Sequence, residues 1–181
     1  AFMTEILYKD FPHVDGLHYT LRYTCEDDCA DLLKIYSDKK AVPLFNSDNC
    51  NGDDFHYTTM ERMKQALDFW QFSYENRYFV RWTIVDKNIG EAIGTVELCG
   101  EKQRGILRLD LRSDYEKKAV ILDLLWLCDV LFDDFDRVVT KAIPQAAERI
   151  AALEEFGFKP YSEKIIGHDG TEYGDYYVLE R

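Results

Sequence analysis

Residues 78–112 read YFVRWTIVDKNIGEAIGTVELCGEKQRGILRLDLR, and this stretch decides the fold. Its side chains follow a period of two, which is typical of strands, whose successive side chains point to opposite faces of a sheet. Residues that favour turns interrupt the pattern at 86–88 and again at 100–105. The stretch therefore predicts an antiparallel meander of three strands, at 79–85, 92–99 and 106–112.

The segments on either side of this meander alternate between strand and helix patterns. Before it, the sequence predicts a strand at 17–23, a helix at 26–37, a long loop at 43–55 and a helix at 59–74. After it come a helix at 117–133, a strand at 138–141, a helix at 145–156 and strands at 158–165 and 173–179. The order βααβββαβαββ predicts an α/β fold with a mixed, mostly antiparallel central sheet that about four helices flank.

Length and charge limit the classes of protein to consider. The chain has 181 residues and a formal net charge of −12. One domain, at 3–181, accounts for this length, and we expect Ala1 and Phe2, which precede Met3, to be a remnant of cloning. The acidic charge argues against nucleic acid and membrane as partners, because binding to either depends on a basic surface.

The five cysteines are odd in number and scattered along the chain. No signal-like segment precedes them, so the sequence predicts free thiols and a reducing, cytoplasmic location. Cys25 and Cys29 are separated by three residues, but no second cysteine pair completes a zinc site. We therefore expect no bound metal.

The most apolar stretch of the chain lies at 119–132. Asp123 and Asp129 interrupt it, and it is shorter than the roughly 20 residues that a membrane span needs. The stretch predicts a buried helix. Such a helix is either covered on several sides by the sheet and its neighbours, or partly buried in a homodimer.

Three segments match, in order and spacing, segments of one known superfamily. They are LRYTCEDD at 21–28, WTIV at 82–85 followed by IGTVEL at 93–98, and EEFGFK at 154–159. Together they resemble the GNAT superfamily of acyl-CoA-dependent N-acyltransferases, and within it the branch of ribosomal-protein N-terminal acetyltransferases. The resemblance covers nearly the whole chain. It implies the GNAT fold and the transfer of an acetyl or related acyl group from acetyl-CoA to a primary amine, for example a protein N-terminus.

In that superfamily the pyrophosphate of the acyl donor sits on backbone N–H groups at the start of the third helix, where the helix dipole favours anions. Residues 111–121, LRSDYEKKAVI, align with this loop. The resemblance implies that the donor contacts Leu111, Arg112, Lys117, Lys118 and Ala119. Glu116 stands where the family has Arg or Gln, Ala119 replaces the first Gly, and Ile121 replaces the last small residue.

Two features of this loop act in opposite directions. Ser113 and Glu116 have the spacing of a capping box, whose side chains bind the same N–H groups that a pyrophosphate would use. Arg112, Lys117 and Lys118 bring three cations, and their charge-assisted contacts can replace part of the amide cradle. Phosphate contact and a plain capped helix start are therefore both open.

The last strand of the meander supplies the candidates for acid–base chemistry. Leu107, Leu109 and Leu111 share one face and predict the core, while the opposite face, which carries Arg108, Asp110 and Arg112, predicts a cleft. Asp110 is the first candidate for a base and Glu97, on the neighbouring strand, is the second. The alternative is that Asp110 forms a structural ion pair with Arg108, with Arg112 or with a charge across the strands.

The final strand contains the candidates for binding the acceptor amine. Asp175 and Tyr177 lie where the resembling branch has an acceptor-lining segment, so the resemblance implies that they contact the acceptor. Side chains alternate along a strand, so only one of Tyr176 and Tyr177 faces the cleft. The loop at 43–55 and the turn at 166–174 correspond to the variable acceptor walls of the family.

Two functions from different classes follow. The first is a divergent N-acyltransferase that uses acetyl-CoA as donor and a small-molecule or peptide amine as acceptor. The second is a GNAT-fold binding or assembly module without catalysis. The changes in the donor loop favour the second function, as do Ala146 and Leu153 at positions where the family usually has Asn and often Tyr.

Overall fold

The computed structural model describes residues 5–48 and 53–181; Ala1, Phe2 and the middle of the loop predicted at 43–55 lie outside them. The helices are α1 (Glu5–Lys9), α2 (Cys29–Tyr36), α3 (Val42–Phe45), α4 (Met60–Glu75), α5 (Lys118–Phe132) and α6 (Ala147–Phe156). The strands are β1 (Val14–Asp15), β2 (Tyr19–Tyr23), β3 (Val80–Asp86), β4 (Glu91–Glu101), β5 (Arg104–Leu111), β6 (Arg137–Lys141), β7 (Lys159–Pro160), β8 (Ile165–Ile166), β9 (Glu172–Tyr173) and β10 (Tyr176–Glu180).

The central sheet has eight strands in the order β1-β2-β3-β4-β5-β6-β10-β7. β5 and β6 run parallel, and the other neighbouring pairs are antiparallel. β3, β4 and β5 form the predicted meander, with Trp82 opposite Val96 and Leu98 opposite Leu107. β8 and β9 pair separately. The predicted α/β class, with a mixed and mostly antiparallel sheet, is confirmed.

Two hydrophobic cores cover the two faces of the sheet. Leu107, Leu109 and Leu111 of β5 belong to the core that contains the buried face of α5, which confirms the predicted inner face of this strand. The second core contains the inner faces of α2 and α4, around Tyr36 and Trp70. Polar side chains of β3, β4 and β5 that point away from α5 therefore face the layer of α2 and α4.

The parallel ladder between β5 and β6 is short. It joins Gly105, Ile106 and Leu107 to Val138, Val139 and Thr140. β5 continues to Leu111, whereas β6 ends at Lys141. The last pair joins Leu107 to Thr140, and residues that follow it on both strands line a cleft.

Gly94 allows β4 and β5 to approach each other beside this opening. A Cβ atom at position 94 would lie 2.3 Å from the carbonyl oxygen of Asp110, which is too close for any side chain. The register between β3 and β4 also shifts here, between Ile84 and Val85. Such a bulge bends the strands, as is common next to functional sites.

The outer face of α5 is more exposed than its sequence predicts. Six of its residues are buried, but Trp126 and Val130 are 62% and 64% exposed. Among residues 5–48 and 53–181, no helix is long and apolar enough to cross a membrane.

The structure differs from the predicted elements mainly near the termini and in the loop at 43–55. The loop contains the short helix α3, which has Pro43 in its first turn, where a missing N–H costs nothing. The strands predicted at 158–165 and 173–179 are broken into shorter pieces. Pro160 cannot donate to a ladder, and Asp175 has a left-handed backbone with φ of 61°, so regular pairing stops at both places.

Candidate functional site

The candidate site is the cleft beside the point where the pairing of β5 with β6 ends. Its walls come from β5, β6, β10, α6 and the segment that includes α3. The lining residues are Leu44, Phe45, Ser47, Asp48, Ile106, Leu107, Arg108, Leu109, Asp110, Thr140, Lys141, Arg149 and Tyr176. The cavity volume is about 20 Å³, which is room for about one water molecule. Side chains therefore fill most of the cleft.

A buried hydrogen-bonded cluster forms the floor of the cleft. Asp110 Oδ2 accepts from the hydroxyl of Tyr36 at 2.6 Å and from Nη1 of Arg81 at 2.9 Å. The same Nη1 donates to the hydroxyl of Thr95 at 2.6 Å, and this hydroxyl lies 2.7 Å from that of Tyr36. Burial raises the pKa of Tyr36 well above its usual value, and the charge of Asp110 adds to this effect. Tyr36 therefore serves as a neutral donor.

Two arginines extend the cluster toward the α3 segment. Arg81 Nη2 donates to Glu97 Oε1 at 2.8 Å, and Glu97 Oε2 lies 3.3 Å from Nε of Arg108. Nη1 of Arg108 is 2.7 Å from both carboxylate oxygens of Asp48. The hydroxyl of Tyr176 donates to Asp48 Oδ2 at 2.8 Å. The two arginines thus alternate with three carboxylates in one continuous chain of contacts.

Arg81 is the centre of this network. Its side chain is 1% exposed, and its guanidinium lies 4.5 Å from the ring centroid of Trp70 and 5.1 Å from that of Phe55. Contacts with aromatic faces stabilise a cation that has lost its water. A buried charge of this kind is tolerated only when it is paired and hydrogen-bonded.

The two candidates for a base lie in different surroundings. Asp110 lines the cleft, and both of its hydrogen bonds in the cluster fall on one oxygen, Oδ2. Its ionic partner is Arg81 on β3. This is the predicted alternative in which Asp110 forms an ion pair with a charge across the strands. Glu97 is fully buried between Arg81 and Arg108, and it is not one of the cleft-lining residues.

The start of α5 differs from the predicted capping box. The helix begins at Lys118, and a separate 3₁₀ turn occupies Ser113–Tyr115. Glu116 does not cap the helix. Its carboxylate accepts two hydrogen bonds of 2.9 Å from the guanidinium of Arg149 in α6, and the side chains of this pair are only 9% and 4% exposed. The predicted box is therefore wrong, because an ion pair with Arg149 of α6 takes the carboxylate of Glu116, which lies two residues before α5.

Carboxylates also occupy two of the five predicted donor-binding residues, Lys118 and Arg112. The N–H of Lys118 donates to Glu148 Oε1 at 3.0 Å, and its ammonium lies 2.9 Å from Glu155. Two hydrogen bonds, of 2.7 and 3.0 Å, join Arg112 to Asp114. Glu148, in the first turn of α6, therefore lies at the N-terminal end of α5, where an anion would otherwise bind.

The other predicted donor-binding residues differ in exposure. Lys117 and Ala119 are exposed at the start of α5, whereas Leu111 is buried in the core. Within 5–48 and 53–181 no hydrogen bond or ion pair is found for the ammonium of Lys117. This ammonium remains accessible to an anion in solution.

Asp175 and Tyr177 line a second depression, and Tyr176 contributes both to it and to the cleft. Their neighbours there include Ala142, Pro144 and Ile150, and the cavity volume is about 410 Å³. The carbonyl of Asp175 accepts the N–H of Ala142 at 2.9 Å. Tyr177 does not line the cleft, whereas Tyr176 does.

Sequence reasoning missed several residues that shape the site. Arg81 interrupts the apolar strand FVRWTIV, and a charge in the middle of such a strand was a usable signal. Tyr36 follows the apolar stripe of α2 and gives no sign that its hydroxyl reaches Asp110. Asp48 and Arg149 are ordinary charged residues in the sequence, and only the three-dimensional fold brings them into the cleft.

Comparison with known proteins finds similarity in structure only. No family model matches the chain, and no curated protein matches it. Among solved structures, the ribosomal-protein-S5-alanine acetyltransferase from Vibrio fischeri is similar, with a TM-score of 0.68, 18% identity and coverage of 94% of this chain and 96% of that one.

Two further structures of this kind were solved with ligands. A ribosomal L7/L12 alpha-N-protein acetyltransferase in complex with coenzyme A has a TM-score of 0.68 and 15% identity, over 93% of this chain and 98% of that one. The spermidine N-acetyltransferase from Vibrio cholerae, in complex with CoA and spermine, has a TM-score of 0.67 and 12% identity, over 91% and 96%. Likeness at these identities shows the fold, which is the GNAT fold.

Proposed function

We propose that this protein is a divergent N-acyltransferase that transfers an acetyl or related acyl group from acetyl-CoA to a primary amine. The observation that carries the proposal is the cleft beside the end of the parallel ladder between β5 and β6, with the carboxylate of Asp110 in its lining. The fold supports it, because the similar structures are N-acetyltransferases and two of them hold coenzyme A. A shared fold does not by itself fix function, so the proposal needs direct tests.

The chemistry proposed for the cleft is acyl transfer from a thioester. The amine nitrogen attacks the thioester carbonyl carbon, the C–N bond forms, and the C–S bond then breaks. The amine loses its proton and the departing thiolate gains one, so the products are an amide and free coenzyme A. β5 runs past its last pair with β6 at Leu107, and we propose that backbone N–H groups of β5 beyond this pair polarise the carbonyl.

Within this proposal, Asp110 takes the proton from the amine through its second oxygen, Oδ1, by way of a water molecule. Oδ2 is engaged by Tyr36 and Arg81, and these contacts hold the carboxylate in place. Glu97 holds Arg81 and Arg108 and is a positioning residue.

We expect the Asp110→Asn variant to turn over roughly 10²-fold to 10⁴-fold more slowly, because that is the usual contribution of a general base. Its affinity for acetyl-CoA should stay the same. Steady-state kinetics at saturating amine, together with a donor titration, measure the two effects. Glu97→Gln is the matched control, since it also neutralises a buried carboxylate of the network but not one that lines the cleft. Unchanged turnover in Asp110→Asn would remove Asp110 from the mechanism.

The donor phosphates are proposed to bind at the start of α5, on the backbone of Leu111 and Ala119 and on the cations Arg112, Lys117 and Lys118. Lys117 is accessible as it stands. Glu148 and Glu116 compete with an anion for the rest of this surface. Donor binding therefore requires these two carboxylates to give way.

We expect calorimetry to detect saturable binding of acetyl-CoA and of free coenzyme A, with an affinity that falls as salt increases. The salt dependence follows from ionic contacts to exposed lysines, which counterions screen. The double variant Lys117→Ala/Lys118→Ala should bind more weakly and show a smaller salt dependence. Equal affinity in this variant would show that the lysines do not contact the phosphates.

The second candidate is a binding or assembly module without catalysis. Two contacts favour it, the ion pair of Glu116 with Arg149 and the hydrogen bond from the N–H of Lys118 to Glu148. In both contacts, side chains of the protein occupy positions that the donor phosphates would need. If neither acetyl-CoA nor coenzyme A binds up to millimolar concentration, this second function is the one to pursue.

The remaining expectations concern partners and location. Asp175 and Tyr177 are proposed to contact the far end of the acceptor from the second depression. The exposed Trp126 and Val130 favour the alternative in which α5 is partly buried in a homodimer, and a monomeric profile in sedimentation analysis would contradict it. A cytoplasmic location, and the absence of nucleic-acid partners, stay predictions from charge and from cysteine content.

A further inference from the structure

The Asp48 carboxylate sits in a pocket whose walls belong to the sheet. Arg108 lies on β5, Lys141 ends β6, and Tyr176 begins β10. Asp48 itself comes from the segment that follows α3, outside any helix or strand. The binding groups are thus built on rigid elements, whereas the group that they bind lies on a connecting segment.

The pocket is held in shape by contacts that do not involve Asp48. Nε of Arg108 lies 3.3 Å from the buried Glu97. The ammonium of Lys141 donates to the carbonyl of Gly174 at 2.6 Å and lies 5.4 Å from the ring centroid of Tyr176. Burial lowers the pKa of Lys141, while the charges of Asp175 and Asp48 act in the opposite direction.

The geometry of the pocket suits a carboxylate. One guanidinium nitrogen of Arg108 lies 2.7 Å from each oxygen of Asp48, and the Tyr176 hydroxyl donates to one of them. Charge-assisted contacts of this kind are stronger than neutral hydrogen bonds. If Asp48 is removed, the positive charges of Arg81 and Arg108 are still balanced by the carboxylates of Glu97 and Asp110. The ammonium of Lys141 then adds a further positive charge beside the cleft.

We propose that the pocket of Arg108, Tyr176 and Lys141 is the binding site for a carboxylate of the acceptor, and that Asp48 occupies it until an acceptor binds. The acceptor class is then a small amine that also carries a carboxylate, such as an amino acid. Arg108 and Asp110 share one face of β5 two residues apart, roughly 7 Å. The carboxylate on Arg108 therefore leaves the amine of a short molecule near Asp110. The acyl transfer to this acceptor rests on the proposed function, whereas the binding of a carboxylate in the pocket does not.

Binding to the pocket is tested without any reaction, by removing Asp48 and supplying a carboxylate from solution. We expect Asp48→Ala to melt at a lower temperature than the wild type. Sodium acetate at about 100 mM should recover much of the loss, because a ligand that binds only the folded state stabilises it. Sodium chloride at equal ionic strength should not. Glycine and β-alanine, which also carry a carboxylate, are tested in the same way. If none of acetate, glycine and β-alanine raises the melting temperature of Asp48→Ala above its value in sodium chloride, the proposal is overturned.

Two variants separate the pocket from general effects of salt. In Asp48→Ala/Arg108→Gln the recovery by acetate should disappear, because the cation that binds the carboxylate is gone. In Asp114→Ala, where the lost carboxylate is exposed and paired with Arg112, acetate should act no differently from chloride. Recovery of equal size in all three variants would also contradict a specific pocket.

The wild-type protein provides a second test, which holds even if Asp48→Ala does not fold. With acetyl-CoA as donor, β-alanine should be a better acceptor than propylamine by about tenfold or more in kcat/KM, or about 1.4 kcal/mol. Arg108→Gln should abolish this preference. Turnover of both amines at equal efficiency would refute the carboxylate site but not the acyltransferase. Acetate recovery of Asp48→Ala without any donor binding would retain the pocket and refute the acyltransferase.

Discussion

Replacing Arg81 by methionine should lower the free energy of unfolding by roughly 3–5 kcal/mol, because it removes one member of a buried ionic network and leaves its partners uncompensated. Glu97 and Asp110 each lose a charged hydrogen bond, and Glu97 is fully buried. For a chain of this length, such a loss lowers the melting temperature by about 10 °C or more. Urea unfolding followed by tryptophan fluorescence measures the change.

Arg137→Met is the matched control for this prediction. Arg137 lies on β6 and pairs with Glu180, but the two side chains are 39% and 63% exposed. An exposed pair contributes about 0–1 kcal/mol, so this variant should remain close to the wild type. In the triple variant Arg81→Met/Glu97→Gln/Asp110→Asn, much of the stability should return, since no charge is left without a partner. A loss in Arg81→Met no larger than in Arg137→Met would show that the network does not stabilise the fold.

The double variant Glu148→Gln/Glu116→Gln should bind acetyl-CoA at least about tenfold more tightly than the wild type. Glu148→Gln weakens the hydrogen bond that the side chain accepts from the N–H of Lys118. Glu116→Gln removes the charge that binds the guanidinium of Arg149, so that this guanidinium can bind a phosphate. Each also removes a negative charge from a surface that must accept an anion. The gain should be largest at low salt. Calorimetric titration with acetyl-CoA and with free coenzyme A measures it.

Glu154→Gln is the control for charge alone. Glu154 is exposed on α6, so its replacement changes the net charge by the same amount per site without touching the start of α5. If the double variant changes the binding free energy by no more than twice the change in this single-site control, the effect is one of overall charge. If the double variant binds no acetyl-CoA at all, the start of α5 is not a donor site and the noncatalytic function gains support.

The central architecture could be predicted because it follows from local periodicity. The alternation in 78–112 identifies three strands, and the same alternation places Leu107, Leu109 and Leu111 on the core side. The ends of the structure were less predictable. Pro160 and the left-handed Asp175 interrupt strands whose apolar pattern continues through them.

The candidate site was only partly predictable, because its key contacts join residues that are distant in the chain. Asp110 could be identified from its strand, and the structure confirms that it faces away from the core of α5. Its partner Arg81 lies 29 positions away, and Tyr36 lies 74 positions away. Glu116 fits a local capping pattern, but in the structure its carboxylate binds Arg149 of α6 and not the backbone at Ser113. Local rules fail where a charged partner arrives from elsewhere in the fold.

The ion pair between Glu116 and Arg149 divides the protein molecules into two populations, one with the pair closed and one with it open. If this pair must separate before the donor enters, the protein is competent to bind only during the fraction of time that the pair is open. The apparent affinity is reduced by that same fraction, so a closed form favoured by about 1.4 kcal/mol weakens binding about tenfold. A weak affinity measured for the whole protein would then reflect how rarely this ion pair is open, and the donor would bind the open form much more tightly than the measured affinity indicates.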